Sequence, residues 1–152
     1  MKRRHEKKAF TLIELLIVIA VIAILIGIAL PRFKGMQDEG NIARGKGELR
    51  TLQTAVESYY IHNTQTYPSA LSDLTASGTK PKIVTAIPND PFAAAGTTYV
   101  YTRGGTSSKF YILYSIGPDG NGSAAISSSD TVTETNGGSC IYISNMSLDT
   151  SP

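Results

Sequence analysis

Few of the 152 residues have a type and spacing that could do chemistry, and those few are suited to binding rather than to reaction. Glu14 is the one ionisable group in the run from Leu12 to Leu30, LIELLIVIAVIAILIGIAL. A carboxylate in so apolar a segment costs on the order of 2.5 to 3.5 kcal/mol at mid-membrane depth, so it calls for a partner and marks a function. Asp119, Asn121 and Ser123 have the alternating spacing of an oxygen-ligand loop for a hard divalent cation, and Asp130 stands at the twelfth place, where an EF-hand loop carries Glu. Without the remaining ligands that pattern is weak. Beyond the first nine residues the chain has one histidine, His62, in a helical pattern with no nucleophile motif beside it. Cys140 is the single cysteine, which excludes an intrachain disulfide and a multi-thiolate metal centre. No phosphate-binding glycine motif follows a strand pattern. The expectation is a protein that is not an enzyme, with no catalytic residues.

The elements that must position these groups follow from composition. A chain of 16.2 kDa has room for one modest core. Apolar residues make up 41% and charged ones 17%, the latter below the usual quarter, so a membrane segment or an uncharged polar surface must account for the difference. The net charge of +2 is too small for a nucleic-acid-binding stripe, and no nucleic-acid partner is expected. It is also uneven: residues 1–9 carry +4 and the remainder −2. The nineteen residues from Leu12 to Leu30 would span roughly 28 Å as a helix, one bilayer core. The basic cluster before them should stay in the cytoplasm, leaving everything after Pro31 outside. A cleaved secretory signal fits the same hydropathy, with Gly27 and Ala29 as its small residues, but has no use for Glu14.

Residues 7 to 16, Lys-Lys-Ala-Phe-Thr-Leu-Ile-Glu-Leu-Leu, resemble the type IV prepilin signal shared by type IV pilins and the pseudopilins of type II secretion. The resemblance implies that a prepilin peptidase cuts between Ala9 and Phe10 and that Phe10 is then N-methylated; Ala9 stands where the family normally has Gly. The new α-amine has an unperturbed pKa of about 7.7 to 8.0, which makes it a candidate counter-ion for Glu14. Between parallel helices, such a pair removes a lone buried charge and sets axial register. The competing reading is a monomeric anchor whose Glu14 snorkels to the interface. Pro31 lies twenty-one residues after Phe10, where the family commonly has a helical proline, and its ring leaves the carbonyl of Gly27 without a donor. The turn from Gly27 to Pro31 is therefore expected to be where the helix bends or loses hydrogen bonds, unless it simply ends the span.

Beyond Pro31, Ile42, Leu49, Leu52, Val56 and Tyr59 form a helical stripe. Gly35, Gly40, Gly45 and Gly47 weaken its first half, so the spacing predicts a helix firm from Glu48 to His62 and looser before. The alternating charges from Arg32 to Arg50 read as a solvated face, or as pairs between subunits in a filament. Leu71 and Leu74 are placed to cap the core from a short helix or turn, and strand patterns run from Thr97 to Arg103, Lys109 to Ile116 and Cys140 to Ser144. The expected fold is α+β: a long N-terminal helix, membrane-spanning in its first half, packed by its C-terminal half on a small antiparallel sheet with a long loop. The segments are a leader (1–9), an assembly helix (10–31) and an outer domain (32–152).

Ile87-Pro88-Asn89-Asp90-Pro91-Phe92, followed by Gly96 and Tyr99-Val100-Tyr101, resembles the signature of major pseudopilins, and Ser115 to Gly120 resembles their calcium loop. Carried over by position, that resemblance implies calcium held by carboxylates of Asp119 and Asp130, backbone oxygens of Ile116 and Asn121, and an oxygen of Ser128. Neutral residues stand where another acidic ligand is expected. The function implied is that of the major pseudopilin of a type II secretion system, with a type IV pilin-like fold. Its helix polymerises from the inner membrane into a periplasmic fibre that drives export, and its partners are further copies, minor pseudopilins and an inner-membrane assembly platform. The alternatives are the major subunit of a type IV pilus and, in a different class, a monomeric membrane-anchored binding domain.

Overall fold

The computed structural model describes residues 10–76, 82–105, 108–127, 130–135 and 139–146. Ala9 and Ser128 lie outside the described residues. Two units make up the chain, one ending at Asp38 and the other beginning at Glu39. Helix α1 (Leu12–His62, 51 residues) begins in the first and ends in the second.

In the first unit, α1 is built almost wholly of Leu, Ile, Val and Ala. A helix satisfies its own backbone, which is the condition for entering lipid. By length and composition this is one helix able to cross a membrane, and none of its most apolar window is buried. Pro31 sits inside α1 and does not end it. The glycines do not break the helix either. Each costs about 1 kcal/mol against Ala, but in the second unit the stripe of Leu49, Leu52, Ala55, Val56 and Tyr59 is buried, at roughly 1.5 to 3 kcal/mol for each large side chain. Packing outweighs propensity there. Gly45 itself is buried, and a Cβ on it would only reach ordinary contact with Ile141 and Tyr99.

The second unit wraps that stripe. A 3₁₀ turn (Leu71–Leu74) inserts both leucines into the core, with the Asp73 carboxylate accepting from the Ser69 N–H, the Ser69 hydroxyl and the Ala70 N–H at 2.8, 2.7 and 3.2 Å. Strands β1 (Val100–Gly104), β2 (Phe110–Ser115) and β5 (Ile141–Ser144) form an antiparallel sheet in the order β1-β2-β5, with Tyr101 opposite Leu113 and Leu113 opposite Ile143. Tyr99, Tyr111, Leu113, Ile141 and Ile143 join the leucines and α1 in the main core.

The expected long loop is in part a hairpin. Strands β3 (Ser123–Ile126) and β4 (Val132–Thr135) pair antiparallel as a separate two-stranded sheet. Their Ser, Thr and Ala content conceals them as loop, since only Ala124 is deeply buried. The hairpin nevertheless covers the far face of the main sheet, where Ile112, Ala124 and Cys140 make a second small core flanked by Ile126 and Val132. Strand β2 is thus buried on both faces, which explains its almost unbroken apolar run.

Candidate functional site

The first candidate is the exposed rod. Seventeen large apolar side chains from Phe10 to Met36 are exposed, Phe10 and Leu12 at 81% and 90%. Such a surface is stable only in lipid or against other apolar helices. At its start, Thr11 and Glu14 bond reciprocally. The Glu14 N–H donates to Thr11 Oγ1 at 3.3 Å, and Glu14 Oε2 accepts from the Thr11 N–H and hydroxyl, both at 3.4 Å. This is a capping box, in which a Thr at the cap and a Glu three residues on each satisfy an otherwise orphaned backbone donor. The sequence carried the signal as Thr11-x-x-Glu14, but a reading of Glu14 as half of an ion pair overlooked it. Glu14 therefore has a partner within its own helix. Gly27 and Pro31 lie one turn apart, and nothing stands within 4 Å of a Cβ placed on Gly27.

The second candidate is the loop from Ile116 to Gly122, which leaves β2 and enters β3. The Gly122 N–H donates to the Ile116 carbonyl at 2.8 Å, and the Asn121 side-chain amide donates to the Asp119 carbonyl at 3.1 Å. Gly117 adopts φ 72°, and a Cβ there would overlap the Ser139 carbonyl, so only glycine fits. Ser139 Oγ is buried beside the loop with no hydrogen-bond partner among the described residues. Ile116, Asp119 and Asn121 are thus gathered in one loop. Asp130 lies beyond the other end of β3, with Oδ1 close enough to Gly105 to meet a Cβ placed there. β3 alone spans roughly 10 Å, so this arrangement does not bring the two carboxylates to one ion. Among the described residues, no three His, Cys, Asp or Glu side chains are grouped to hold a metal.

What organises that loop is Asp90, to which the sequence reading gave no role. It is 4% exposed, yet its carboxylate is fully used. Oδ1 accepts from Ser115 Oγ at 2.8 Å and the Phe92 N–H at 3.0 Å, while Oδ2 accepts from the Ile116 N–H at 3.1 Å. The Gly117 N–H in turn donates to Ser115 Oγ at 3.2 Å. A buried carboxylate is tolerated when donors surround it in this way. Asp90 thereby ties the Pro88–Phe92 segment to the end of β2 and the start of the loop. A buried acid between two prolines, Pro88-Asn-Asp90-Pro91, was the visible hint.

Two glutamates of the helix face are also engaged inside the fold rather than solvated. The Tyr99 hydroxyl donates to Glu48 at 2.6 Å and the Tyr111 hydroxyl to Glu57 at 2.7 Å. Burial, reinforced by these carboxylates, pushes both phenols well above their ordinary pKa, so both stay protonated donors. Glu48 also pairs with Arg44 at 2.8 Å, one turn away. His62 Nδ1 lies 2.8 Å from the Ser58 carbonyl of its own helix. Burial pushes the Cys140 thiol up to about 12, which leaves it inert as a nucleophile.

Comparison with known proteins agrees with both halves of this geometry. The prokaryotic N-terminal methylation motif matches residues 4–30, and the family model for type II secretion system (T2SS), protein G matches residues 32–134. A type II secretion system core protein G of Pseudomonas aeruginosa is 29% identical over 130 residues, covering 78% of this chain and 88% of that protein. One from Pectobacterium carotovorum is 27% identical over 128 residues, covering 76% and 79%. The fimbrial protein EcpB of Eikenella corrodens is 48% identical, but over 58 residues, 38% of this chain and 36% of its own. No solved structure matches. A methylation motif on an exposed apolar rod, followed by a matching helix-and-sheet unit, places this chain in the type II secretion system protein G family.

Proposed function

We propose that this chain is the major pseudopilin of a type II secretion system, a structural and non-catalytic subunit that polymerises through the helix from Phe10 to Pro31. The observation that carries the reading is the rod of seventeen exposed large apolar side chains attached to a well-packed unit of the protein G family. Packing rod against rod replaces lipid contact with protein contact, and the folded units are carried outward as the fibre grows. In this reading prepilin peptidase removes residues 1–9, the outer unit lies in the periplasm, and minor pseudopilins with an inner-membrane assembly platform start and drive assembly. The capping box holds Glu14 satisfied in the single subunit, and the Phe10 α-amine of a neighbour replaces Thr11 as its partner in the fibre.

Mass spectrometry of the N-terminus, together with electron microscopy of cells overproducing the secretion system, tests this. Methylated Phe10 and fibres that contain the chain are expected; an intact Met1 on a chain that never leaves the monomeric state rules the reading out. Fibres formed by the chain alone on the cell surface, in a strain without the secretion system, would favour the pilus reading that the fimbrial likeness supports.

We also propose calcium as the ion of the loop from Ile116 to Gly122, with Asp119 its carboxylate and the Ile116 and Asn121 carbonyls its neutral ligands. Ser139 Oγ, buried beside the loop and without a partner among the described residues, supports an oxygen-seeking ligand there. Inclusion of Asp130 requires the β3–β4 turn to move toward Asp119. A bound ion supplies ordering free energy that a polar loop lacks.

A further inference from the structure

The second unit carries a cleft that neither the rod nor the loop site uses. It has a volume of about 650 Å³ and is lined by Tyr60, Gln65, Thr66, Tyr67, Arg103, Ser108 and Lys109. Among the described residues, two cations line it and no carboxylate does. Among the described residues neither Arg103 nor Lys109 has an ion-pair partner, whereas Arg44 on the helix does.

The cleft is built rather than incidental. The guanidinium of Arg103 is oriented by donation from Nη1 to the Tyr67 carbonyl at 2.8 Å, and its planar fork carries further donors suited to a carboxylate. The wall beside it is rigid: the Tyr67 ring stacks on Tyr60 with centroids 4.4 Å apart and lies 4.9 Å from Tyr111, while its hydroxyl donates to Glu57 at 3.3 Å and accepts from the Asn145 amide at 3.2 Å. The same Asn145 amide donates to the Lys109 carbonyl at 3.0 Å, which fixes the backbone that carries the second cation. Of the four non-glycine residues with positive φ among the described residues, two line this cleft: Gln65 (56°) and Ser108 (54°). Left-handed backbone at non-glycine residues is strained and collects where the chain is shaped for a ligand. The Tyr60 carbonyl at the end of α1 accepts from the Gln65 N–H at 3.1 Å, so the negative helix end is partly covered.

We infer that this cleft is a docking site for an acidic peptide segment of a partner protein, with a carboxylate on the Arg103 fork, a second drawn to Lys109, and the peptide lying along the Tyr60–Tyr67 wall. The charges decide the ligand's sign. Charged donors without matching carboxylates favour an acceptor-rich anion over a neutral sugar, whose hydroxyls need acceptors in the site. This assignment is independent of whether the chain forms fibres.

The test uses the full chain in a neutral detergent with a fluorescein-labelled hexaglutamate peptide, read by anisotropy at about 50 mM salt. Saturable binding is expected, weakened several-fold at about 300 mM salt as the charges are screened. The double variant Arg103→Gln, Lys109→Gln should weaken it at least tenfold, and Lys34→Gln should leave it unchanged. Since Lys109 is exposed, Lys109→Gln alone keeps the fold and should still weaken binding, about threefold. Absence of binding, equal affinity in the double variant, or tighter binding of tri-galacturonate than of the peptide overturns the assignment.

Discussion

The two units of this chain treat apolar surface in opposite ways. Up to Asp38 the large side chains are almost all exposed, from Phe10 at 81% to Met36 at 68%. From Glu39 onward, Leu49, Leu52, Val56, Leu74, Tyr111 and Leu113 are at 2% or less. Glu14 and Asp90 show the same contrast among acids. Glu14 is tied to one residue of its own helix at 3.3 to 3.4 Å, whereas Asp90 is closed in by donors from three other positions at 2.8 to 3.1 Å. The weaker set can be exchanged for another partner; the tighter set cannot be opened without unfolding its surroundings. One unit is therefore finished only by assembly, and the other is finished alone.

Substitutions should separate the two. Glu14→Ala is expected to lower fibre yield more than tenfold while membrane insertion and the melting temperature of the folded unit stay unchanged; wild-type fibre levels would erase the distinction between the acids. Leu113→Ala should act in the opposite direction, destabilising the folded unit by about 2 to 5 kcal/mol in denaturant unfolding and leaving insertion intact. Asp90→Ala leaves the Ser115 hydroxyl and the Phe92 and Ile116 N–H groups without their acceptor, a loss of about 2 to 4 kcal/mol, and should also abolish any calcium-dependent rise in melting temperature. If calcium still raised it fully, Asp90 would not organise the loop.

Raising the pH distinguishes the units without mutation. Tyr99 and Tyr111 have folded pKa values above the ordinary phenol value, so the stability they contribute is complete below about pH 10. Above it the unfolded chain releases those protons while the folded one retains them, and stability falls. Calorimetry from pH 8 to 11 should show the melting temperature starting to drop near pH 9, where the unfolded Cys140 thiol begins to ionise, and dropping more steeply beyond about pH 10, the second phase being shallower in Tyr99→Phe. The smallest effect is expected from Thr11→Ala, about 1 kcal/mol at the start of α1, seen as faster amide exchange of residues 12–15 in micelles.

Local pattern made much of this legible. The stripe through Leu49, Leu52, Val56 and Tyr59, the leucines at 71 and 74, and three of the five strands follow from spacing alone, because each reports a neighbour one turn away or across a pleat. The β3–β4 hairpin did not show, since Ser123 to Ile126 and Val132 to Thr135 bury little and are paired only because the back of β2 needs covering. Asp119 and Asp130 looked like one ligand set because a sequence counts residues; a strand between them turns eleven positions into separation. Glu48 looked like a surface charge for the same reason, as its tyrosine lies 51 residues away.

The sequence by itself determined the rod: a run of nineteen residues with Glu14 its one ionisable member, their basic leader, and the Thr11-x-x-Glu14 start of α1 involve only contacts within a turn or two of helix, and lipid asks nothing more specific than hydrophobicity. Tertiary structure alone decided the fate of Asp90, the two-faced burial of β2, and the meeting of Arg103, Lys109 and the stacked tyrosines at one cleft. Those outcomes depend on which distant groups arrive within about 3 Å of one another, and that is settled by closing the core as a whole.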